Sequence, residues 1–312
     1  MAAKDIGPRI GADPEVFIRD IATKDIVPIC GIIGGNKAHP IKLDTQITAM
    51  YGPENNARRR TDPRGFYGVQ EDNVMLEFNV PAYKELDMFT GAISKALDFI
   101  QSAFLAPKGY EYCWGAPAHA FNSEVLSKYA QALEIGCSPD FNAYAEDNRF
   151  QREPFSAATF GNRRFCGGHI HVQYDKDNVP PHVFAQFMDC VVGIPYLEWD
   201  RQGGRRLYYG QPGLFREKDY GIEYRTLSNF WLYPTFRENC LYDMIENIFS
   251  LAVRANSEPG VLMEAYSKIH WDDVQSTIRT EDHKTAAEMV MYFREKVGLH
   301  INGVPKRTAI AA

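Results

Sequence analysis

The sequence predicts an α+β protein, in which a curved antiparallel sheet carries a site, helices back the sheet, and a helical extension closes the C-terminus. Three observations lead there. Four pairs of functional residues sit two positions apart: Asp13-Pro14-Glu15, Glu77-Phe78-Asn79, His169-Ile170-His171 and Glu223-Tyr224-Arg225. Residues i and i+2 of a strand project from the same face, so four such strands side by side would line one surface with carboxylates, imidazoles and a guanidinium. The apolar period then changes from two to three-and-four after Pro81, and residues beyond Phe236 keep the helical period.

The elements follow in order. Residues 11–19 begin polar and end in Val16-Phe17-Ile18, a β-favouring run. Residues 26–33 form a short apolar segment that breaks at Gly34-Gly35. Residues 52–66, rich in Pro, Gly, Asn and Arg, read as a loop. Residues 69–80 are strand material with a turn at Asp72-Asn73, ending at Pro81. Leu86, Phe89, Ile93, Ala96, Leu97, Ile100 and Phe104 then mark an amphipathic helix. Residues 105–165 carry no clear period. Residues 168–174 are a strand, and a helix starts near Pro181 with Phe184, Phe187, Met188, Val191 and Val192 on its apolar side. Residues 205–231 are strand-rich. Leu241, Met244, Ile245, Ile248, Phe249 and Ala252 mark another helix, and residues 285–297 a last one. The organisation expected is a catalytic core over 1–235 and a helical segment over 236–312 packed on the same domain.

The chain has 312 residues, 45% hydrophobic and 24% charged, which is ordinary for a globular protein with a sizeable core. A formal net charge of −6 argues against electrostatically driven nucleic-acid binding by the whole surface. The one dense basic cluster, Arg58-Arg59-Arg60 with Arg64, reads as a solvated loop or as a contact to an anionic substrate. The N-terminus lacks an apolar stretch of the secretory type, and no segment reaches the roughly 18 apolar residues of a membrane span. Six dispersed cysteines, none in a CxxC pair, point to reduced thiols in a cytoplasm and argue against cysteine-held zinc.

Asp13 and Glu15 repel each other on a strand face unless a cation sits between them; the alternative is an exposed edge with two solvated acids. Glu71 and Glu77 add two acids, and Glu77 lies inside Val74-Met75-Leu76-Glu77-Phe78, where a carboxylate is either paired or binding metal. His169 and His171 follow Gly167-Gly168, which allow close approach of backbone and ligand. With carboxylates as the other donors, magnesium or manganese suits the set better than zinc. Arg205, Arg206, Arg216 and Arg225 share a segment with Glu223. They fit bidentate clamps on phosphate oxygens, or a basic strand pair balancing the acidic strands. Neither a GxxxxGK[ST] loop nor a GxGxxG fingerprint is present.

The segments GADPEVFI, QEDNVMLEFNVP, CGGHIHV and YGQPGLFREKDYGIEYRTLSNFW occur in this order between residues 11 and 231. Together they resemble the glutamine synthetase and γ-glutamylcysteine synthetase superfamily, in particular its phage branch of carboxylate–amine ligases of the second type. The resemblance implies a sheet of the glutamine synthetase type. It implies that Asp13, Glu15, Glu71, Glu77, His169 and Glu223 hold metal. His171, Arg205, Arg206 and Arg216 then contact nucleotide or phosphate, and Arg216 and Arg225 act in catalysis. Asp13 stands where a glutamate is more usual, and the substrate-recognition loops of glutamine synthetase find no match.

The function implied is an ATP- and Mg2+- (or Mn2+-) dependent ligase that joins a carboxylate to an amine through an acyl phosphate, in the cytoplasm, or the host's if phage-encoded. The acid and amine could be amino acids, a peptide, a protein side chain or a modified base. Related synthetases sometimes complete their sites across subunits, which a homo-oligomer would satisfy. Two rivals stand beside this reading. One is a metal-dependent hydrolase built on His169 and His171. The other is a non-catalytic protein of the same fold that binds a nucleotide or a partner.

Overall fold

Proline and glycine decide how the N-terminal strand is cut. In this computed structural model, which describes residues 7–52, 66–133, 141–145, 161–201 and 204–303, the extended path expected over 11–19 is in three pieces. They are β1 (Arg9–Ala12), β2 (Glu15–Val16) and β3 (Ile18–Asp20). Pro14 has no amide to give a ladder, so pairing lapses around it. The flanking amides still bind, Asp13 N to His169 O at 3.4 Å and Glu15 N to Gly167 O at 2.8 Å. Only β4 (Ile26–Val27) of the segment 26–33 is strand. The rest turns at Gly31 and Gly34, both at positive φ.

With the turn expected at Asp72-Asn73, residues 69–80 form a hairpin. β5 (Ile41–Lys42) pairs with β6 (Gly68–Asp72), which turns at Asn73 (φ 55°) into β7 (Met75–Tyr83). β7 does not stop at Pro81. Ala12 faces Val80 and Ile10 faces Tyr83, so Pro81 and Ala82 together oppose Gly11 in a bulge, a position that tolerates a missing amide. β8 (Tyr110–Tyr112) joins β3 and β4 in a small sheet, and β9 (Ala118–Ala120) pairs with β11 (Arg163–Phe165). The main sheet is completed by β10 (Phe141–Asn142), β12 (Ile170–Gln173), β13 (Leu214–Lys218) and β14 (Gly221–Tyr224). Among the described residues it has nine antiparallel strands in the order β10-β13-β14-β12-β1-β7-β6-β5, with β2 also on β7.

One face of this sheet is apolar: Ile10, Ala12, Phe78, Val80, Ile170, Val172, Ile222 and Tyr224 are all buried. Helices cover it. Leu86–Ile100 packs on β7 through Phe89, Ile93, Ala96, Leu97 and Ile100, the positions its period picks out. Pro181–Met188 packs on β13 and β14, and Leu241–Ser257 on β1 and β12. Two further helices, Pro259–Tyr266 and Trp271–Thr280, fall within the helical segment expected beyond Phe236, and the last helix is His283–Tyr292. No helix among the described residues is long and apolar enough to cross a membrane.

Among the described residues, Asp189 is the acid on this covered side with a strongly altered proton affinity that the site does not explain. It lies in the wide turn Asp189–Gly193, fully buried, and accepts from Tyr224 Oη and from Tyr144 Oη at 2.8 Å. Burial pushes its carboxyl up to about 7 against those hydrogen bonds. An unfolded aspartate titrates near 4, so the folded chain binds the extra proton between about pH 4 and 7. Stability from this group is full below that window, falls as the pH rises through it, and stays low above. Asp189→Asn is neutral throughout. Relative to the parent it should gain on the order of 2–3 kcal/mol between pH 5 and pH 8. Urea melts of both proteins at the two pH values test this; an unchanged gap would mean that Asp189 is ionised in the folded chain throughout.

Candidate active site

The other face of the sheet carries the ionisable residues, and register explains why. Gly11 lies opposite His171, His171 opposite Glu223, and Glu223 opposite Arg216, one row across β1, β12, β14 and β13. Two residues along, Asp13 and His169 lie beside each other with Arg225; beyond them Glu15 faces Glu77, and Glu77 faces Gln70. Gly167 is glycine for a steric reason: a Cβ there would stand 2.1 Å from His169 Nε2.

Two groups of ligand atoms form, each within 4.8 Å of one another: Asp13, His169 and Glu223, and Glu15, Asp72 and Glu77. In the first, Asp13 Oδ1 is 3.6 Å from His169 Nδ1 and 2.9 Å from His171 Nε2. Burial would raise the Asp13 carboxyl, but the charge of His171 and the close approach of both imidazoles hold it well below the usual range. Burial, then the charge of Arg225, pushes His169 down to about 4, so it is a neutral imidazole near pH 7. Its Nε2 is 2.6 Å from Tyr209 Oη, and that oxygen accepts from Arg225 Nη2. His171 is raised, since Asp13 outweighs burial, and its Nδ1 meets Tyr220 Oη. Glu223 is buried yet held well below the carboxylate range, because Arg225, His171 and Arg216 outweigh desolvation. Its Oε1 accepts from Arg225 and from Arg216 at 3.3 Å, and Oε2 is 2.7 Å from Lys218 Nζ.

The second group is short of positive charge. Burial and then Asp72 push Glu15 up to about 7, although Gly167 N donates to its Oε2 at 2.6 Å. Burial, Asp13 and Asp72 drive Glu77 well above its usual value. Gln70 Nε2 donates to Glu77 Oε1 at 2.8 Å, and Lys37 Nζ is 3.4 Å from Asp72 Oδ2. Three converging carboxylates, two of them resisting ionisation, form an oxygen-rich donor set that a hard divalent cation suits.

Three expected site residues are engaged elsewhere. Glu71 points to the opposite face, because alternate residues of β6 diverge. Its carboxylate accepts from Gly31 N (2.8 Å), Ile33 N (3.0 Å), Gly34 N (2.8 Å) and Gln131 Nε2 (3.2 Å). Asp72, one residue on, takes the place expected of it. Arg205 and Arg206 lie in a short helical turn, Arg205–Leu207, rather than on a strand. Arg205 donates to Thr226 O (3.1 Å) and Leu227 O (3.0 Å), and Arg206 to Gly210 O (3.2 Å) and Asp200 Oδ2 (3.2 Å). These guanidiniums brace the backbone behind Tyr209. Arg58, Arg59, Arg60 and Arg64 fall outside the described residues. Unanticipated members are Asp72, Lys37, Lys218, Tyr209 and Tyr220. Lys218 had a visible cue, since it lies two residues from Arg216 on one strand. A cavity of about 220 Å³ adjoins the site, lined in part by Arg9, Gly11, Asn79, His171, Gln173 and Tyr220.

Glu71→Ala should therefore cost stability, by about 1–3 kcal/mol for each buried amide left without an acceptor and without water. It should leave divalent-cation affinity near the parent's. Manganese titration followed by paramagnetic resonance, beside a urea melt, measures both; lost cation affinity with unchanged stability would return Glu71 to the metal set.

Residues 155–285 match the family model described as phage phiEco32-like COOH.NH2 ligase-type 2. This segment is similar to that ligase family. The match suggests a carboxylate–amine ligase, and it spans His169, His171, Tyr209, Arg216, Lys218, Glu223 and Arg225. Asp13, Glu15, Asp72 and Glu77 precede it and meet it through the pairing of β1, β2 and β7. A solved structure titled as a novel glutamine synthase homolog is similar at 9% identity with a TM-score of 0.33, over 94% of this chain and 68% of that one. No curated protein matches the chain.

Proposed function

We propose that the protein is an ATP- and magnesium- (or manganese-) dependent ligase that joins a carboxylate to an amine through an acyl phosphate. The observation that carries this reading is the charge layout of one sheet face. Glu15, Asp72 and Glu77 gather at one end, and Arg216, Lys218 and Arg225 surround Glu223 at the other. An acidic end beside a basic one matches a metal–polyphosphate, whereas a hydrolase has no need of three cations beyond the charge of one Glu223.

Asp13, Glu15, Asp72, Glu77, His169 and Glu223 would hold the divalent cations. Bound there, such ions neutralise phosphate oxygens and reduce their repulsion of an incoming carboxylate. His171 and Arg216 contact phosphate. The substrate carboxylate oxygen attacks the γ-phosphorus and ADP leaves; the amine then attacks the acyl carbon and inorganic phosphate leaves with the former carboxylate oxygen. Arg216 steadies the equatorial oxygens during the first transfer, and Arg225 holds Glu223 and His169 in place.

The test is a screen of carboxylate and amine pairs for ADP and phosphate release with Mg2+ present. Release that requires both partners supports the ligase. Turnover without ATP would favour the hydrolase, and nucleotide binding without turnover the binding protein. The histidines divide the roles further. His169→Ala should weaken Mn2+ binding about 10- to 100-fold or more, and His171→Ala less. Equal losses, with zinc recovered between the two rings, would support the hydrolase instead.

A further inference from the structure

Glu223 is one carboxylate with three cations on it, and the three are not equivalent. Arg225 is 3% exposed and fixed by Tyr209, with its Nη1 3.3 Å from His169 Nδ1. Arg216 is 15% exposed and shares Oε1 with it. Lys218 is 31% exposed and sits alone among the three on Oε2, at 2.7 Å. Its ammonium ends a flexible four-carbon stem and can rotate away without breaking a planar, multiply anchored contact. Oε2 is thus the Glu223 oxygen most readily freed.

A divalent cation drawn to Oε2 competes with that ammonium, since a compact double charge coordinated there repels an ammonium on the same oxygen more strongly than the two delocalised guanidiniums on Oε1 repel each other. The displaced ammonium stays tethered at the rim of the site, where it can meet an anion. We infer that Lys218 is an exchange residue: it neutralises Glu223 while the site lacks cation and moves onto a phosphate oxygen of the nucleotide when metal and nucleotide enter together. This rests on the nucleotide-dependent reading above and adds a substrate-contacting residue to it. A lysine that only balanced Glu223 would touch no ligand in either state.

The two states make opposite demands on one variant. Lys218→Met removes the competitor for Oε2, so Mn2+ alone should bind at least as tightly as in the parent. It also removes a phosphate partner, so a non-hydrolysable ATP analogue should bind about 10- to 100-fold more weakly in the presence of Mg2+. In EDTA, where Lys218 stays on Glu223, parent and variant should bind the analogue alike. Calorimetric titration of the analogue in both buffers, Mn2+ titration by paramagnetic resonance and a thermal melt give the comparison; misfolding would weaken both ligands together. The inference is overturned if the variant binds the analogue like the parent in Mg2+, if it loses the same factor in EDTA, or if it binds Mn2+ more weakly. A parent that binds no analogue in either buffer would instead sink the nucleotide reading, and this inference with it.

Discussion

Arg225→Ala should lower stability by about 3 kcal/mol and remove turnover, the largest combined effect expected of any substitution in the site. The guanidinium is 3% exposed and reaches three groups at once: Glu223 Oε1, His169 Nδ1 at 3.3 Å and Tyr209 Oη. Its plane also lies 5.5 Å from the Tyr209 ring centroid, within cation–π range. Deleting one partner of a buried ion pair costs about 3–5 kcal/mol, because the other charge stays behind without compensation. Glu223 keeps Arg216 and Lys218, which puts the expectation at the lower end. Turnover falls for a different reason: His169 and Glu223 lose the group that sets their mutual position, and a displacement of about 1 Å can cost a hundredfold in rate. Arg225→Lys should recover part of the stability and little of the turnover, as an ammonium cannot span the three partners. Urea melts and ADP release measure the two effects. An Arg225→Ala protein as stable as the parent would show that water solvates Glu223 once the arginine is gone.

The period-two pairs were readable because a strand leaves no freedom once one residue faces the site: Glu223 fixes Arg225, and His169 fixes His171. Glu71 was misassigned although the information to place it was present. A two-residue turn in the hairpin of β6 and β7 pairs Glu77 with an even-numbered residue, here Gln70, so Gln70 and Asp72 share its face while Glu71 faces away. Counting acids in a run, without counting the turn, picked the wrong neighbour. Arg205 and Arg206 had no such rule. They follow Gly203-Gly204 in a stretch without period, so their directions come from the carbonyls of Thr226, Leu227 and Gly210, contacts between segments that no local pattern encodes. The bounds of Trp271–Thr280, inside the segment expected to be helical, left little apolar period to read, because this helix is mostly polar and buries only Val274, Thr277 and Ile278. Pro259, at the first helical turn, starts Pro259–Tyr266.

Arg216→Ala should reduce turnover by about 100- to 1000-fold while nucleotide affinity changes far less. Arg216 sits on β13 opposite Glu223, half-buried, with a hydrogen bond to Glu223 Oε1 of 3.3 Å. That bond is longer than the 2.7–2.9 Å of a strong charge-assisted contact, and Glu223 has two other cations, so its loss should cost little stability. The guanidinium stands 15% exposed on the face that carries the site. If it meets the equatorial oxygens of a phosphoryl group in flight, its contribution belongs to the transition state, and only such differential stabilisation speeds a reaction. Lysine should rescue poorly, since a point charge does not reproduce a planar two-pronged contact. The measurement is carboxylate-dependent ADP release beside titration of a non-hydrolysable analogue, with melting as the check on folding. Equal loss in both would make Arg216 a ground-state anchor, and parent-like turnover would remove it from the phosphate clamp. The contrast with Arg225→Ala is itself diagnostic: two arginines on one carboxylate, one whose removal is felt in the fold and one whose removal is felt only when the reaction runs.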